Sequence, residues 1–290
     1  SLALMSLSRM FIMYTKCAAA ARRISAVLDT PDSFPVTEDD GRRDSSSKIS
    51  FEKVNFSYLG KKHNLEDITL NVPKGGTLGI IGATGSGKST FVKLLLRFYD
   101  TDSGTIRIGG RKISSYTQKE LTALFGVALQ NDFLYADTVE ENIRFGRNIP
   151  DEQIRRAARI AQAHDFISAM PEGYGHMISS KGTNLSGGQR QRILIARAIA
   201  ASPEILILDD SSSALDYKTD ASLRQALKES MSDSTVITVA QRVSSVKNCD
   251  QIIVLEEGKI IGRGRHEELM ESCTEYRQIS DSQLGGAFLD

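Results

Sequence analysis

Several things are missing from this 290-residue chain, and each absence narrows the possibilities. There is no charge imbalance: 36 basic side chains meet 36 acidic ones. That argues against a surface built to coat nucleic acid or to bind a membrane through a polybasic patch. There are only three cysteines, Cys17, Cys249 and Cys273, and no CxxC pair. Neither a zinc site nor a disulfide framework is expected, and a reducing setting fits. No charge-free apolar run approaches the ~20 residues that span a bilayer. No basic start followed by a compact apolar block marks a signal peptide, and no internal repeat is visible.

What is present begins with LALMSLSRMFIMYTKCAAAARRISAVL, rich in Leu, Met and Ala, broken by Arg9 and Lys16, and helical in composition. Two readings are open. It is an amphipathic docking helix, or it is the cytosolic end of a transmembrane helix belonging to a longer chain, an origin that a first residue of Ser also suits. Residues 30–47 mix Pro, Ser and charges without apolar period and read as a linker. From there strands are expected at ISFEKVNFSY, ITLNV, TLGII, GTIRIGG, GVALQ, ILILD, TVITVA, QIIVLEEG and KIIGRG. Helices are expected at STFVKLLLRFY, across 151–170 between Pro150 and Pro171, at SGGQRQRILIARAIA, and near 217–230. Strands alternating with helices predict an α/β fold with a largely parallel sheet covered on both faces.

The stretch GATGSGKST fits G-x-x-x-x-G-K-[ST] between a buried strand and a helix, the context in which that motif cradles phosphate. Its residues are Gly82, Ala83, Thr84, Gly85, Ser86, Gly87, Lys88, Ser89 and Thr90. The glycines let backbone N–H groups turn inward, and the helix start adds a positive dipole end. Lys88 reaches for the β- and γ-phosphates, and the Ser89 hydroxyl for Mg²⁺. Such a loop needs a further acid for the metal. ILILDD supplies Asp209 at the end of an apolar strand. A nucleoside triphosphate with Mg²⁺ is the expected ligand pair. The absence of an N-K-x-D tetrapeptide weighs against a guanine-specific switch.

A second Ser-Gly-Gly helix start, LSGGQRQR, lies about a hundred residues further on, too far along the chain to serve the same phosphates easily. With it the sequence resembles the nucleotide-binding domain of ATP-binding cassette (ABC) proteins, over residues 48–285 and with the motifs in family order. The resemblance implies a P-loop NTPase core with a mainly parallel sheet, an antiparallel β-subdomain, and an α-helical signature subdomain at about 131–200; residues 286–290 are a tail. It implies a head-to-tail pair of domains with ATP between one P-loop and the other domain's signature, here Leu185, Ser186, Gly187, Gly188 and Gln189. It also implies Tyr58 as the adenine platform, Gln130 as a Mg²⁺ and membrane-domain contact, and Ser213, Ala214, Leu215 and Asp216 as a loop crossing the dimer interface.

Three positions depart from the family pattern. Asp210 stands where a Glu usually orients the attacking water; one methylene less withdraws its oxygens by roughly 1.5 Å. A catalytic group misplaced by ~1 Å can cost on the order of 100-fold, about 3 kcal/mol of barrier. Gln241 stands where a histidine usually contacts the γ-phosphate, and an amide can donate a hydrogen bond but cannot carry charge. Ser180 replaces an acid before the signature. None of the four histidines stands in the missing position, and each is expected at the surface. The catalytic set is therefore Lys88, Asp210 and Gln241, with Ser89, Gln130 and Asp209 toward the metal. The expected function is the ATP-binding, slowly hydrolysing subunit of a membrane exporter on the cytoplasmic face. It would pair with its own transmembrane domain and with a second, catalytically intact ABC domain, and bind no nucleic acid. The rivals are a nucleotide-sensing module that never hydrolyses and a soluble ABC ATPase of repair or translation. The cargo is not legible.

Overall fold

The computed structural model describes residues 2–30, 34–42, 47–60, 63–130, 132–211 and 214–285, and the chain divides into two units, 1–35 and 36–290. In the first, α1 (Leu2–Leu28) is one unbroken helix with no buried residue. Its sequence holds no Pro or Gly to interrupt it. Among the described residues no helix is long and apolar enough to cross a membrane.

The second unit runs β1 (Ser47–Phe56), β2 (Leu65–Pro73), β3 (Thr77–Ile81), α2 (Lys88–Leu95), β4 (Ser103–Ile108), β5 (Arg111–Lys112), α3 (Gln118–Leu124), β6 (Phe125–Ala128), α4 (Val139–Arg144), α5 (Asp151–Ile160), α6 (His164–Ser168) and α7 (Gly187–Ala200). It continues with β7 (Ile205–Asp209), α8 (Tyr217–Ser230), β8 (Thr235–Val239), α9 (Val243–Val246), β9 (Gln251–Glu256), β10 (Lys259–Gly264), α10 (His266–Ser272) and α11 (Thr274–Gly285). Six strands form one sheet in the order β10-β9-β3-β8-β7-β6, parallel from β9 to β6 with β10 antiparallel at the edge. Four form a separate antiparallel sheet, β2-β1-β4-β5.

The apolar runs that read as buried strands are buried on both faces, as a side-chain period of two requires. In β7, Ile205 and Ile207 face the core shared with the antiparallel sheet and α2. Leu206 and Leu208 face the helices α4, α5 and α7. In β9, Ile253 and Leu255 join the first of these cores, while Ile252 and Val254 pack with Leu269 of α10 and Tyr276 of α11. Both faces of the large sheet being covered, its strand ends remain as the place for polar chemistry.

Three expectations change. The helix across 151–170 is two helices, because α5 ends in a reversal at Gln162, φ 57°. The Gln162 N–H donates to the Arg159 carbonyl at 3.0 Å and the Ala163 N–H to the Ala158 carbonyl at 2.7 Å. This is the helix-ending pattern that glycine usually makes, here without glycine in the sequence to announce it. The histidines are not all surface residues. His164 and His266 are half-buried, each with Nδ1 within 2.9 and 2.8 Å of a tyrosine hydroxyl, Tyr174 and Tyr276 respectively. Finally, part of the 30–47 stretch is held by the antiparallel sheet. Asp40 accepts from both terminal nitrogens of the buried Arg107, at 2.9 and 2.6 Å, and the Thr37 N–H donates to the Ser114 carbonyl at 3.0 Å. The Arg107 hydrogen bonds hold the Asp40 carboxyl well below the usual carboxylate range.

Candidate nucleotide site

The loop from Gly82 to Gly87 joins β3 to α2 and depends on its glycines. A Cβ at Gly82 would lie 2.1 Å from the Leu255 carbonyl oxygen, and one at Gly87, φ 109°, would lie 2.9 Å from the Asn64 carbonyl oxygen. Gly85 has φ 83° with open space around it. Gly87 is also the N-cap of α2, where no side chain caps the helix. The first N–H groups of α2 thus lack the side-chain acceptor that a Ser or Asp would supply. The Ser86 hydroxyl oxygen is buried without a hydrogen-bond partner. Uncapped donors, an orphaned hydroxyl and a loop too tight for side chains at two of its glycines suit the oxygens of a polyphosphate.

Lys88 is the first residue of α2, and its Nζ donates to the Gly82 and Ala83 carbonyl oxygens, 2.8 Å each. Burial lowers its pKa, opposed by the charges of Asp209 and Asp210 nearby. Asp209 ends β7 and is 7% exposed. Burial is the first cause of its raised pKa and the adjacent Asp210 charge the second. Two carboxylates crowded in a low-dielectric site favour a cation between or beside them. Among the described residues no cluster of three or more His, Cys, Asp or Glu forms a metal site. The donors the sequence puts forward, the Ser89 hydroxyl, the Gln130 amide oxygen and the Asp209 carboxylate, are all oxygens. That fits Mg²⁺ rather than a softer metal.

Asp210 lies just beyond β7 with φ 48°, a left-handed backbone that Asp tolerates better than most residues. Its N–H donates to the Val239 carbonyl oxygen at 2.8 Å, which ties the turn to the end of β8. Its Oδ2 accepts from two amides, Gln130 Nε2 and Gln241 Nε2, each at 3.1 Å. Burial raises the Asp210 pKa; Lys88 and Arg242 oppose it. Three residues singled out from separate parts of the sequence thus meet on one oxygen.

Tyr58 follows β1, 39% exposed, with its hydroxyl 3.3 Å from Thr90 Oγ1 in α2. Its ring meets Phe56 and Tyr99 edge to face, with centroids 4.9 and 5.1 Å away. The ring is therefore fixed beside the phosphate loop with part of its surface open.

The second glycine-rich helix start is built differently. Ser186 is the N-cap of α7; its Oγ accepts from the Gln189 N–H at 3.2 Å, and Gln189 Oε1 accepts from the Ser186 N–H at 3.0 Å. Leu185 packs against the helical core. A Cβ at Gly188 would lie 3.2 Å from the Ala214 carbonyl oxygen, so residues 187–188 and 214 run side by side. Leu215 is buried, and Asp216 caps α8, accepting from the Thr219 N–H at 2.9 Å and hydroxyl at 2.7 Å. Ser213 lies outside the described residues.

Sequence reasoning missed Arg242, which lies 5.6 Å from the Tyr217 ring, and Gln283 of α11, which hydrogen-bonds the backbone of residues 241 and 243. The Gln-Arg dipeptide gave a weak signal for Arg242. Nothing local signals Gln283.

Comparison with known proteins agrees with this arrangement. The profile of the family described as ABC transporter matches residues 65–213. Human ATP-binding cassette sub-family B member 6 is 41% identical over 260 residues, covering 89% of this chain and 30% of that protein. The Bacillus subtilis (strain 168) uncharacterized ABC transporter ATP-binding protein YknU is 39% identical over 287 residues, covering 97% of this chain and 48% of its own length. A bacterial Atm1-family ABC exporter solved with ATP bound superimposes with a TM-score of 0.83 at 30% identity, over 93% of this chain and 47% of that one. The chain thus spans between about a third and a half of the length of these relatives. From the phosphate loop, the acidic strand end and the capped Ser-Gly-Gly helix start, together with these matches, the chain belongs to the ABC transporter family, and residues 36–290 carry the ABC ATPase fold.

Proposed function

We propose that this chain is the ATP-binding and ATP-hydrolysing part of a membrane exporter half whose own site turns over slowly. The observation that carries the reading is the Asp210 carboxylate beside the phosphate loop, with one oxygen shared by the Gln130 and Gln241 amides. Lys88 and the N–H groups of residues 82–90 bind the β- and γ-phosphates, and Tyr58 stacks on the adenine. Mg²⁺, when bound, neutralises charge on those phosphates, with Ser89, Gln130 and Asp209 as its protein contacts. Asp210 orients the attacking water, through a bridging water where its shorter arm falls short. Gln241 donates a hydrogen bond to the γ-phosphate but brings no charge to it.

The signature at Leu185–Gln189 acts on nucleotide held by a partner domain, with residues 213–216 beside it at the interface. The partner carries the Glu and His that are absent here and does most of the hydrolysis. Closure of the pair drives membrane helices that precede the domain, on the cytoplasmic face of the membrane, toward substrate efflux. The relatives named as transporter and exporter support this, and the balance of 36 basic and 36 acidic side chains is in keeping with it.

The test is ATP turnover of the Asp210→Glu, Gln241→His double variant. A rise of several-fold over the unchanged chain is expected, since restoring ~1 Å of reach recovers part of a ~100-fold loss. No rise contradicts the weakened-site reading. A nucleotide-sensing module that never hydrolyses is favoured if no cleavage is seen in a single turnover with or without a second ABC domain.

A further inference from the structure

The loop that carries Gln241 is held from outside by the C-terminal helix. Gln283 of α11 donates from Nε2 to the Gln241 carbonyl oxygen at 2.8 Å and accepts at Oε1 from the Val243 N–H at 2.9 Å. Arg242 between them is extended, φ −96° and ψ 128°. An extended segment presents the carbonyl of one residue and the N–H of the residue two further on to the same side, the pair a neighbouring strand would read. A primary amide carries one donor end and one acceptor end and can take the strand's place. Val243 is also the first residue of α9, whose N-cap has no side-chain hydrogen bond, so Gln283 satisfies one of its open donors from a distance.

The rest of α11 is anchored independently. Tyr276 is fully buried, Ser280 is 5% exposed, and Gln283 itself is exposed. The loop has a second tie at Ser244, whose carbonyl accepts from Arg224 Nη1 at 2.6 Å, but that tie lies beyond the residue that faces Asp210.

We propose that Gln283 is a positioning residue for ATP cleavage: by bracing the backbone on both sides of Arg242 it keeps the Gln241 amide against Asp210. This rests on the reading of Gln241 as the γ-phosphate contact, and it makes α11 an arm through which events at the end of the domain reach the reacting phosphate.

The test uses Gln283→Glu, which keeps length and shape but cannot donate, and Gln283→Ala, which removes both bonds. Four quantities are measured on the whole chain: kcat for ATP, KM for ATP, hydrogen exchange of the Val243 amide, and the unfolding midpoint. With Gln283→Ala, exchange at Val243 accelerates, kcat falls on the order of tenfold, and KM stays within about twofold because the phosphate loop is untouched. Gln283→Glu lowers kcat in the same way. The midpoint stays within about 2 °C, as expected for an exposed side chain. Faster exchange with unchanged kcat overturns the proposal, as does unchanged exchange with Gln283→Ala or a loss of kcat explained by a large fall in midpoint. If the Asp210→Glu, Gln241→His variant gains no turnover, the weakened-site reading fails while exchange at Val243 and the Gln283 kcat values still judge the brace.

Discussion

The two glycine-rich helix starts of this domain look alike in sequence and differ in how their backbone donors are met. At α2 no side chain caps the helix, the glycines run through positive φ, and a lysine folds onto the loop carbonyls. At α7 a reciprocal Ser186–Gln189 box satisfies two of the orphan groups internally. The first is a concave cradle with unmet donors and suits an anion that it surrounds. The second has two of its donors met by its own side chains, and its two glycines present a surface without side chains beside Ala214. Such a surface suits closing over a phosphate held elsewhere. In the proposed function that is the division of labour between binding one nucleotide and sealing another.

Substitutions that strike one end only would sharpen this contrast. The largest effect is expected at Lys88. Lys88→Ala removes the charged donor proposed to hold phosphate, and ATP affinity should fall about 100-fold, read by titration with a fluorescent ATP analogue. Leaving affinity intact would remove the cradle from the account. Tyr58→Ala comes next. Loss of a stacked base costs ~1–3 kcal/mol, so adenine nucleotides should bind about tenfold more weakly, whereas Tyr58→Phe, which loses only the contact to Thr90, should stay within about twofold. Equal losses for the two variants would assign the role to the hydroxyl and not to the ring.

The parts of the site that were legible in the sequence are those whose chemistry is local. The phosphate loop announces itself through glycine spacing, because only glycine fits at Gly82 and Gly87. The strand before Asp209 announces itself through four apolar residues, because both of its faces are buried. Ser186 reads as a helix cap because the capping residues are sequence neighbours. What was not legible depends on contacts across the fold. Gln162 ends α5 in a conformation usually marked by glycine. Asp40 is bound by Arg107, and Gln241 by Gln283, through pairings 67 and 42 residues apart. The short helices α3, α4 and α9 have too few residues to show a period, and their stability comes from packing rather than from propensity. The meeting of Gln130, Asp210 and Gln241 on one oxygen was expected only as three separate family positions; their convergence is a property of the fold.

The claim that the two helix starts of one chain serve two different nucleotides is tested most directly by mixing two inactive variants. Lys88→Ala disables the cradle and leaves the signature. Gly188→Asp sets a negative charge at the signature, in a first helical turn that tolerates acid, and leaves the cradle. Both are made in the Asp210→Glu, Gln241→His background so that turnover is readily measured. The account predicts that each alone is nearly inactive and that the mixture regains turnover, because one pairing in it unites an intact cradle with an intact signature. A mixture no more active than its parts would contradict it.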